Sequence, residues 1–292
     1  MFISAVEKTV FQKMTAEGQR RWHARVDVVY RHGLDILVDG MTRPIFISTV
    51  AKGLFPYHMV VSSNVLRTLL ERPVGSPLNL SCGNLSCGFA DDLSDGLPSL
   101  RMPSRCFELR LTPRALEIPD SATLGKIVDD FVRRLSFIAS SGGLGPFEEI
   151  FSDHWSHRGA FDLTRSTGKE VLALLGCGAG STPAGDDMLV GAASVCQLFS
   201  FSTGRTADRA RQWLEMLKAC QPRFSTCTTR MSCGYLNSAL EGVFGSHLIC
   251  LHKALFGSRP LMPALLRVKR HGCTSGMDTL IGVALACRSL AR

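Results

Sequence analysis

No apolar run in the 292-residue sequence approaches the roughly 18 residues that a membrane-spanning helix needs, so no such span is expected. The opening, Met1-Phe2-Ile3-Ser4-Ala5-Val6-Glu7-Lys8, has no basic segment leading into an apolar one, and an unprocessed cytoplasmic chain is expected. Cys-x-x-Cys pairs are also missing. The 11 cysteines are odd in number and scattered, and Cys196, Cys250 and Cys287 fall inside apolar helical patterns. The closest pairs, Cys82/Cys87 and Cys227/Cys233, have no second pair or histidines at zinc-finger spacing. Free thiols are therefore expected, most of them acting as small buried hydrophobes. There is no Gly-x-Ser-x-Gly nucleophile elbow, and no Gly-Lys-Ser/Thr to end a P-loop. A basic low-complexity arm is absent too, as is any interleaving of aromatics with Lys/Arg. Nucleic-acid binding would then rest on charge alone.

That charge is +8, from 33 Lys+Arg against 25 Asp+Glu, and it suits small anionic metabolites as partners. With 45% hydrophobic and 20% charged residues, the chain can bury a sizeable core.

The first part of the chain is rich in short β-prone runs: 26–30 and 34–38 around the His32-Gly33 hairpin signal, then 44–47, 58–61, 77–80 and 106–111. Their spacing and punctuation predict a small barrel or sandwich. The Asp/Ser/Gly/Pro-rich stretch from Gly83 to Pro103 predicts a surface loop. Near residue 120 the period changes. Leu124, Ile127, Val128, Phe131, Leu135 and Ile138 form one apolar helix face, and Ser140-Ser141-Gly142-Gly143 stops it. Further helical patterns cover about 167–175, 187–201, 205–219, 231–244, 246–257 and 277–290. The expectation is an α+β chain: a β-rich part, 1–120, and a mostly helical part, 121–292.

Two matching turns carry the chemistry. In the first, Gly176-Cys177-Gly178-Ala179-Gly180-Ser181-Thr182-Pro183-Ala184-Gly185-Asp186-Asp187 leads from one apolar helix into another. Glycines at 176, 178 and 180 let backbone amides approach a ligand. Ser181 and Thr182 are candidate N-caps, with Pro183 at the first helical position, and a helix start with open amides attracts anions. The Rossmann fingerprint does not fit, because Ser181 stands where its third Gly would be. The second turn is His271-Gly272-Cys273-Thr274-Ser275-Gly276-Met277-Asp278. With one gap it repeats the first: Gly185-x-Asp187-x-Leu189-Val190-Gly191 becomes Gly276-x-Asp278-x-Leu280-Ile281-Gly282.

In each copy the Asp and the later Gly are four apart on one helix face, and the repeat predicts that the two helix starts meet. Either motif alone is also what a purely structural helix start shows, with Asp favouring the dipole and Gly permitting close packing. Between the turns, hydroxyls crowd at Thr228, Thr229 and Ser232 beside Arg223 and Arg230. Ser232 is a candidate N-cap, and Thr228 and Thr229 are candidate ligand donors. Arg267, Lys269, Arg270 and His271 add positive charge ahead of the second turn. His154 and His157, at i and i+3, have no acidic partner at metal-site spacing and are assigned to surface or packing.

At these residues the sequence resembles a bacterial family whose best-described members are the AllH-type subunits of oxamate carbamoyltransferase. The family pattern is a Gly-rich turn running into Thr-Pro-Ser/Ala-Gly-Asp-Asp, a Thr/Ser-rich helix start, and a closing Gly-x-Thr-Ser-Gly-x-Asp. Here it is matched by Gly178 to Asp187, Thr228 to Ser232, and Gly272 to Asp278, within about residues 165–290. Ser181 stands where the family more often has an apolar residue. The resemblance implies a carbamoyltransferase subunit of purine (allantoin) degradation, acting with larger partner subunits, in which oxamate and carbamoyl phosphate interconvert with oxalurate and phosphate. A non-catalytic ligand-binding or assembly subunit of such a complex is the alternative. No redox cofactor is needed. The resemblance brings no assigned catalytic residues, so roles follow from chemistry. Gly178, Gly180, Ser181, Thr182, Gly185 and Asp186, with Thr228, Thr229, Arg230, Ser232, His271, Thr274, Ser275 and Gly276, are candidates for holding substrate. Asp187 and Asp278 are the candidates for chemistry, orienting an amide NH₂ or binding Mg²⁺, although no metal ligand set is complete.

Overall fold

The computed structural model describes residues 1, 3–16, 21–82, 99–102, 106–112, 116, 118–138, 141–152 and 154–292. The chain divides into two compact units, Met1–Leu109 and Arg110–Arg292. The first is built on a curled eight-stranded sheet and the second is helical, as the α+β reading expected.

The first unit runs β1 (Ile3–Glu7), α1 (Lys8–Thr15), β2 (Arg21–Tyr30), β3 (Gly33–Val38), β4 (Ile45–Ser48), β5 (His58–Val61), α2 (Ser63–Leu70), β6 (Pro77–Cys82), β7 (Ser99–Met102) and β8 (Cys106–Phe107). Its strand order is β7-β6-β2-β3-β4-β5-β1-β8, and the Arg101 amide donates to the Met1 carbonyl at 2.9 Å, so the β7 edge curls back toward the β1 end. Along β2, Trp22, Ala24 and Val26 alternate inward. The register then shifts between Val26 and Val28, and a bulge there leaves Val28 and Val29 exposed on a strand of high β-propensity. Val10 and Met14 of α1 and Leu66 and Leu69 of α2 close the core over Leu34, Ile36, Ile45, Ile47 and Met59. Glu7 caps α1, accepting from the Thr9 and Val10 amides.

Several local expectations are corrected. Ser99–Met102, placed in a loop by composition, forms β7 by pairing in parallel with β6, while 83–98 lies outside the described residues. The run 106–111 is a strand only over Cys106–Phe107. Arg110 instead bridges to Val243, and the Leu111 amide donates to Gly242 O, so these residues join the helical unit. The helices α1 and α2 were not anticipated, because each has only eight residues and two buried apolar positions.

The helical unit comprises α3 (Ser121–Ile138), the short hairpin β9 (Ser141–Gly142) and β10 (Gly145–Pro146), α4 (Phe147–Ile150), α5 (Gly168–Leu174), α6 (Ala184–Phe199), α7 (Arg205–Ala219), α8 (Phe224–Cys227), α9 (Arg230–Leu240), α10 (Ser246–Leu255), α11 (Leu261–Lys269) and α12 (Ser275–Leu290). Helix α11 was also missed. Its Pro263 sits in the first turn, where the lost N–H has no intrahelical partner to forgo.

At the centre lie α6 and α12, each with 14 of its 16 residues buried, as helices that are apolar on all sides must be. Their small residues allow the backbones to touch. A Cβ on Gly191 would stand 2.2 Å from Thr279 O, and one on Gly282 would stand 2.0 Å from Met188 O. Thr279 and Met188 each follow the repeated Asp, so the contact is reciprocal between equivalent positions. The earlier glycines behave alike as well. Gly185 packs on Leu174 O at the end of α5 and Gly276 on Val268 O in α11, with virtual Cβ distances of 2.1 and 2.0 Å. Two helix–turn–helix units thus face each other about a local two-fold relation.

Gly282→Ala should destabilise the helical unit by about 3 kcal/mol, because a methyl group cannot be placed without moving backbone. Thermal unfolding should show a fall of roughly 10 °C. Gly125→Ala in α3, whose Cβ would meet nothing within 4 Å, should leave stability unchanged or slightly raised.

Candidate functional site

The reciprocal glycine contacts bring the N-termini of α6 and α12 side by side. Thr182 Oγ1 and Ser275 Oγ hydrogen-bond across the two turns at 2.8 Å. Thr182 is therefore not the N-cap of α6. Pro183 holds that position without a side-chain bond, and the Thr182 hydroxyl is spent on the other turn. Ser181 is not a cap either; its carbonyl accepts from Thr229 Oγ1 at 2.5 Å. The same Thr229 hydroxyl caps α9 by accepting from the Ser232 amide at 3.1 Å, so the cap is Thr229 and not Ser232.

The glycine-rich turn is shaped by left-handed backbone at Gly176, Gly178 and Gly180, with φ of 73°, 108° and 103°. At Gly176 a Cβ would lie 2.1 Å from Cys227 O, and at Gly178 one would lie 2.8 Å from the Ala184 amide. The Gly185 amide is already engaged, donating to Cys177 O, and its counterpart Gly276 likewise donates to His271 O. Among the described residues, the amides of Gly178, Ala179, Gly180, Ser181 and Thr182 have no hydrogen-bond acceptor, and residues 178–181 are exposed. A run of unengaged amides before a helix start is the kind of backbone that can accept an anion.

The adjacent acidic pair, Asp186 and Asp187, divides its work. Asp186, 1% exposed, accepts from the Gly176 amide at 2.9 Å and from the Thr228 hydroxyl, so it braces the glycine turn against the segment before α9. Burial raises its pKa, against the lowering effect of those donors. Asp187 is 8% exposed and Asp278 is fully buried. Burial pushes the Asp187 carboxyl up to about 8. The Ser275 and Thr182 hydroxyls oppose that shift, while the charges of Asp278 and Asp186 add to it. Asp278 is also raised by burial, although the Gly143 amide donates to its Oδ1 at 2.8 Å and the Thr274 hydroxyl favours its charged form. Oδ2 of each acid is buried with no hydrogen-bond partner among the described residues.

Gly142 and Gly143 were read only as a helix stop, yet they form part of this site. A Cβ on Gly142 would stand 2.7 Å from Asp278 Oδ1, and one on Gly143 would stand 2.6 Å from the Ala184 Cβ and 3.2 Å from Asp278 Oδ2. The β9–β10 hairpin therefore lies as bare backbone on both helix starts. Its only signal in the sequence was the Gly-Gly pair itself.

Other candidates lie elsewhere. Arg230 is exposed on α9. The His271 ring stacks on His247 with centroids 4.6 Å apart, and burial lowers the pKa of both. His157 packs edge-on against Trp155, and His154 is exposed. Among the described residues no cluster of three or more His, Cys, Asp or Glu could hold a metal ion, and no helix is long and apolar enough to cross a membrane.

A duplicated helical core with a buried acidic pair beside an open amide loop defines the class of site. The family described as oxamate carbamoyltransferase subunit AllH matches residues 174–287, a span from the end of α5 to the last turns of α12. That segment carries both turns and is similar to the AllH family. Comparison with curated proteins and with solved structures gave no match.

A carboxyl titrating near 8 in the folded chain, against about 3.9 unfolded, retains a proton that the unfolded chain has lost. The stability from that retained proton is fully present below the unfolded value and is lost as pH rises from there through about 8. Relative to Asp187→Asn, the wild-type chain should lose stability between pH 6 and 9, by an amount on the order of a few kcal/mol. Parallel melting profiles for the two proteins would show that Asp187 titrates normally.

Proposed function

We propose that this chain is a subunit of a carbamoyltransferase acting on oxamate and carbamoyl phosphate, or on oxalurate and phosphate in the reverse direction, in purine (allantoin) degradation. The observation that carries the reading is the meeting of the two Gly-x-Asp helix starts beside an open amide loop, within the segment that matches the AllH family. Both substrates are small anions. Phosphate or carboxylate oxygens would take the amides of residues 178–182 and the Ser181 hydroxyl, and carbamoyl transfer needs no redox cofactor. Asp187, held neutral near pH 7, removes the repulsion that two ionised carboxylates would offer to an approaching anion. The family description names a subunit, so partner chains are part of the proposal. It also supports a second reading, a ligand-binding or assembly subunit whose partners do the chemistry. Turnover by the isolated chain would exclude that second reading.

Carbamoyl phosphate and inorganic phosphate, each at about 100 times its Kd, should stabilise the full chain by about 2.7 kcal/mol, a thermal shift of several degrees. Gly180 adopts φ 103° with open space around it, so Gly180→Ala should reshape the loop without a packing clash and cut that shift by at least half. An unchanged shift in Gly180→Ala would move the anion site away from this loop.

A further inference from the structure

We infer that Asp187 and Asp278 form one acid–base pair that receives the amide –NH₂ of the carbamoyl acceptor, with one carboxyl taking its proton as the other supplies a proton to the departing phosphate. This rests on the carbamoyltransferase reading and assigns the reacting end of the site. The geometry is specific. Both acids are at least nine-tenths buried, and both leave Oδ2 without a partner among the described residues, an arrangement that costs stability unless a ligand donor completes it. An amide –NH₂ carries two N–H donors and no charge, and so matches two acceptor oxygens between helix N-termini, where a cation would meet the positive ends of two dipoles. The cover over Asp278 is bare backbone. Exposed Gly143 lies directly over Asp278 Oδ2, and the exposed turn 178–181 leads into α6 beside Asp187.

The step balances. The acceptor amide nitrogen attacks the carbonyl carbon of carbamoyl phosphate and a C–N bond forms. The C–O bond to phosphate breaks, and phosphate leaves with that electron pair. The nitrogen loses one proton to Asp278, whose Oδ1 is fixed by the Gly143 amide. Asp187 gives one proton to the leaving phosphate oxygen. The pair begins and ends with a single proton, on opposite carboxyls, and in the reverse reaction the roles exchange. A carboxyl that keeps its proton near neutrality is suited to the donor's role. The charged groups acting on Asp187 are Asp278 from α12 and Asp186 from its own helix.

The test uses the full chain labelled with ¹³C at aspartate carboxyls, titrated by NMR from pH 5 to 10, with oxamate, oxalate and inorganic phosphate as probes. One carboxyl should titrate near pH 8, vanish in Asp187→Asn, and move down by a unit or more in Asp278→Asn. Oxamate should bind wild type at least tenfold more tightly than oxalate, which has carboxylate in place of the amide. Asp278→Asn should abolish that preference and leave phosphate affinity within twofold. All aspartates titrating below pH 6, or no preference for oxamate over oxalate, would overturn the pair. The wild-type measurements decide this even where a variant fails to fold. A carboxyl near pH 8 in a chain that binds neither phosphate nor oxamate would overturn the carbamoyltransferase reading itself, and the acceptor assignment with it.

Discussion

The contact between α6 and α12, backbone against backbone through Gly191 and Gly282, is the constraint on which the helical unit turns. Each glycine occupies space where any Cβ would sit about 2 Å from a carbonyl oxygen of the other helix. Because Asp187 and Asp278 stand four residues before these glycines, about one turn, the same contact draws the acids together. Packing and site are then two outcomes of one spacing. The burial that the contact enforces keeps both acids from water, and burial is the main cause of their raised pKa values.

Around this core the turns are tied down by polar groups and by bare backbone. Asp186 fastens the glycine loop to the segment before α9, Thr182 and Ser275 join the two turns, and the Gly143 amide holds Asp278. The bonds from Thr228 to Asp186, between Thr182 and Ser275, and from Gly143 to Asp278 span elements distant in sequence, so the rigidity of the site comes from the assembled unit. The unengaged groups are then conspicuous: the amides of residues 178–182 and the two Oδ2 atoms. One set of donors and one of acceptors, side by side, suit a ligand with an anionic end and an N–H end.

Much of the architecture was legible because it depends on periodic patterns. The apolar face from Leu124 to Ile138 became α3, and the β-prone runs became β2 to β6. The repeated Gly-x-Asp spacing was legible because no other residue type fits at Gly191 or Gly282. What was not legible came from contacts made across the fold. Thr182 looks like an N-cap until Ser275 is beside it, and Ser232 looks like one until Thr229 is seen to accept its amide. The hairpin over the acids acts through Gly142 and Gly143, which have no side chain to announce a role. Arg230 and His271 stand near the motifs in sequence, but one side chain is exposed and the other stacks on His247.

The central claim is that two distant aspartates share one buried environment, and a double-mutant cycle measures that sharing directly. Unfolding free energies of wild type, Asp187→Asn, Asp278→Asn and the double variant, taken at pH 9, above the value of about 8 to which Asp187 is pushed, should show a coupling above about 1 kcal/mol, since either substitution alone relieves the same repulsion. Additivity within about 0.5 kcal/mol would mean that the carboxyls do not sense each other, and the shared site would not exist.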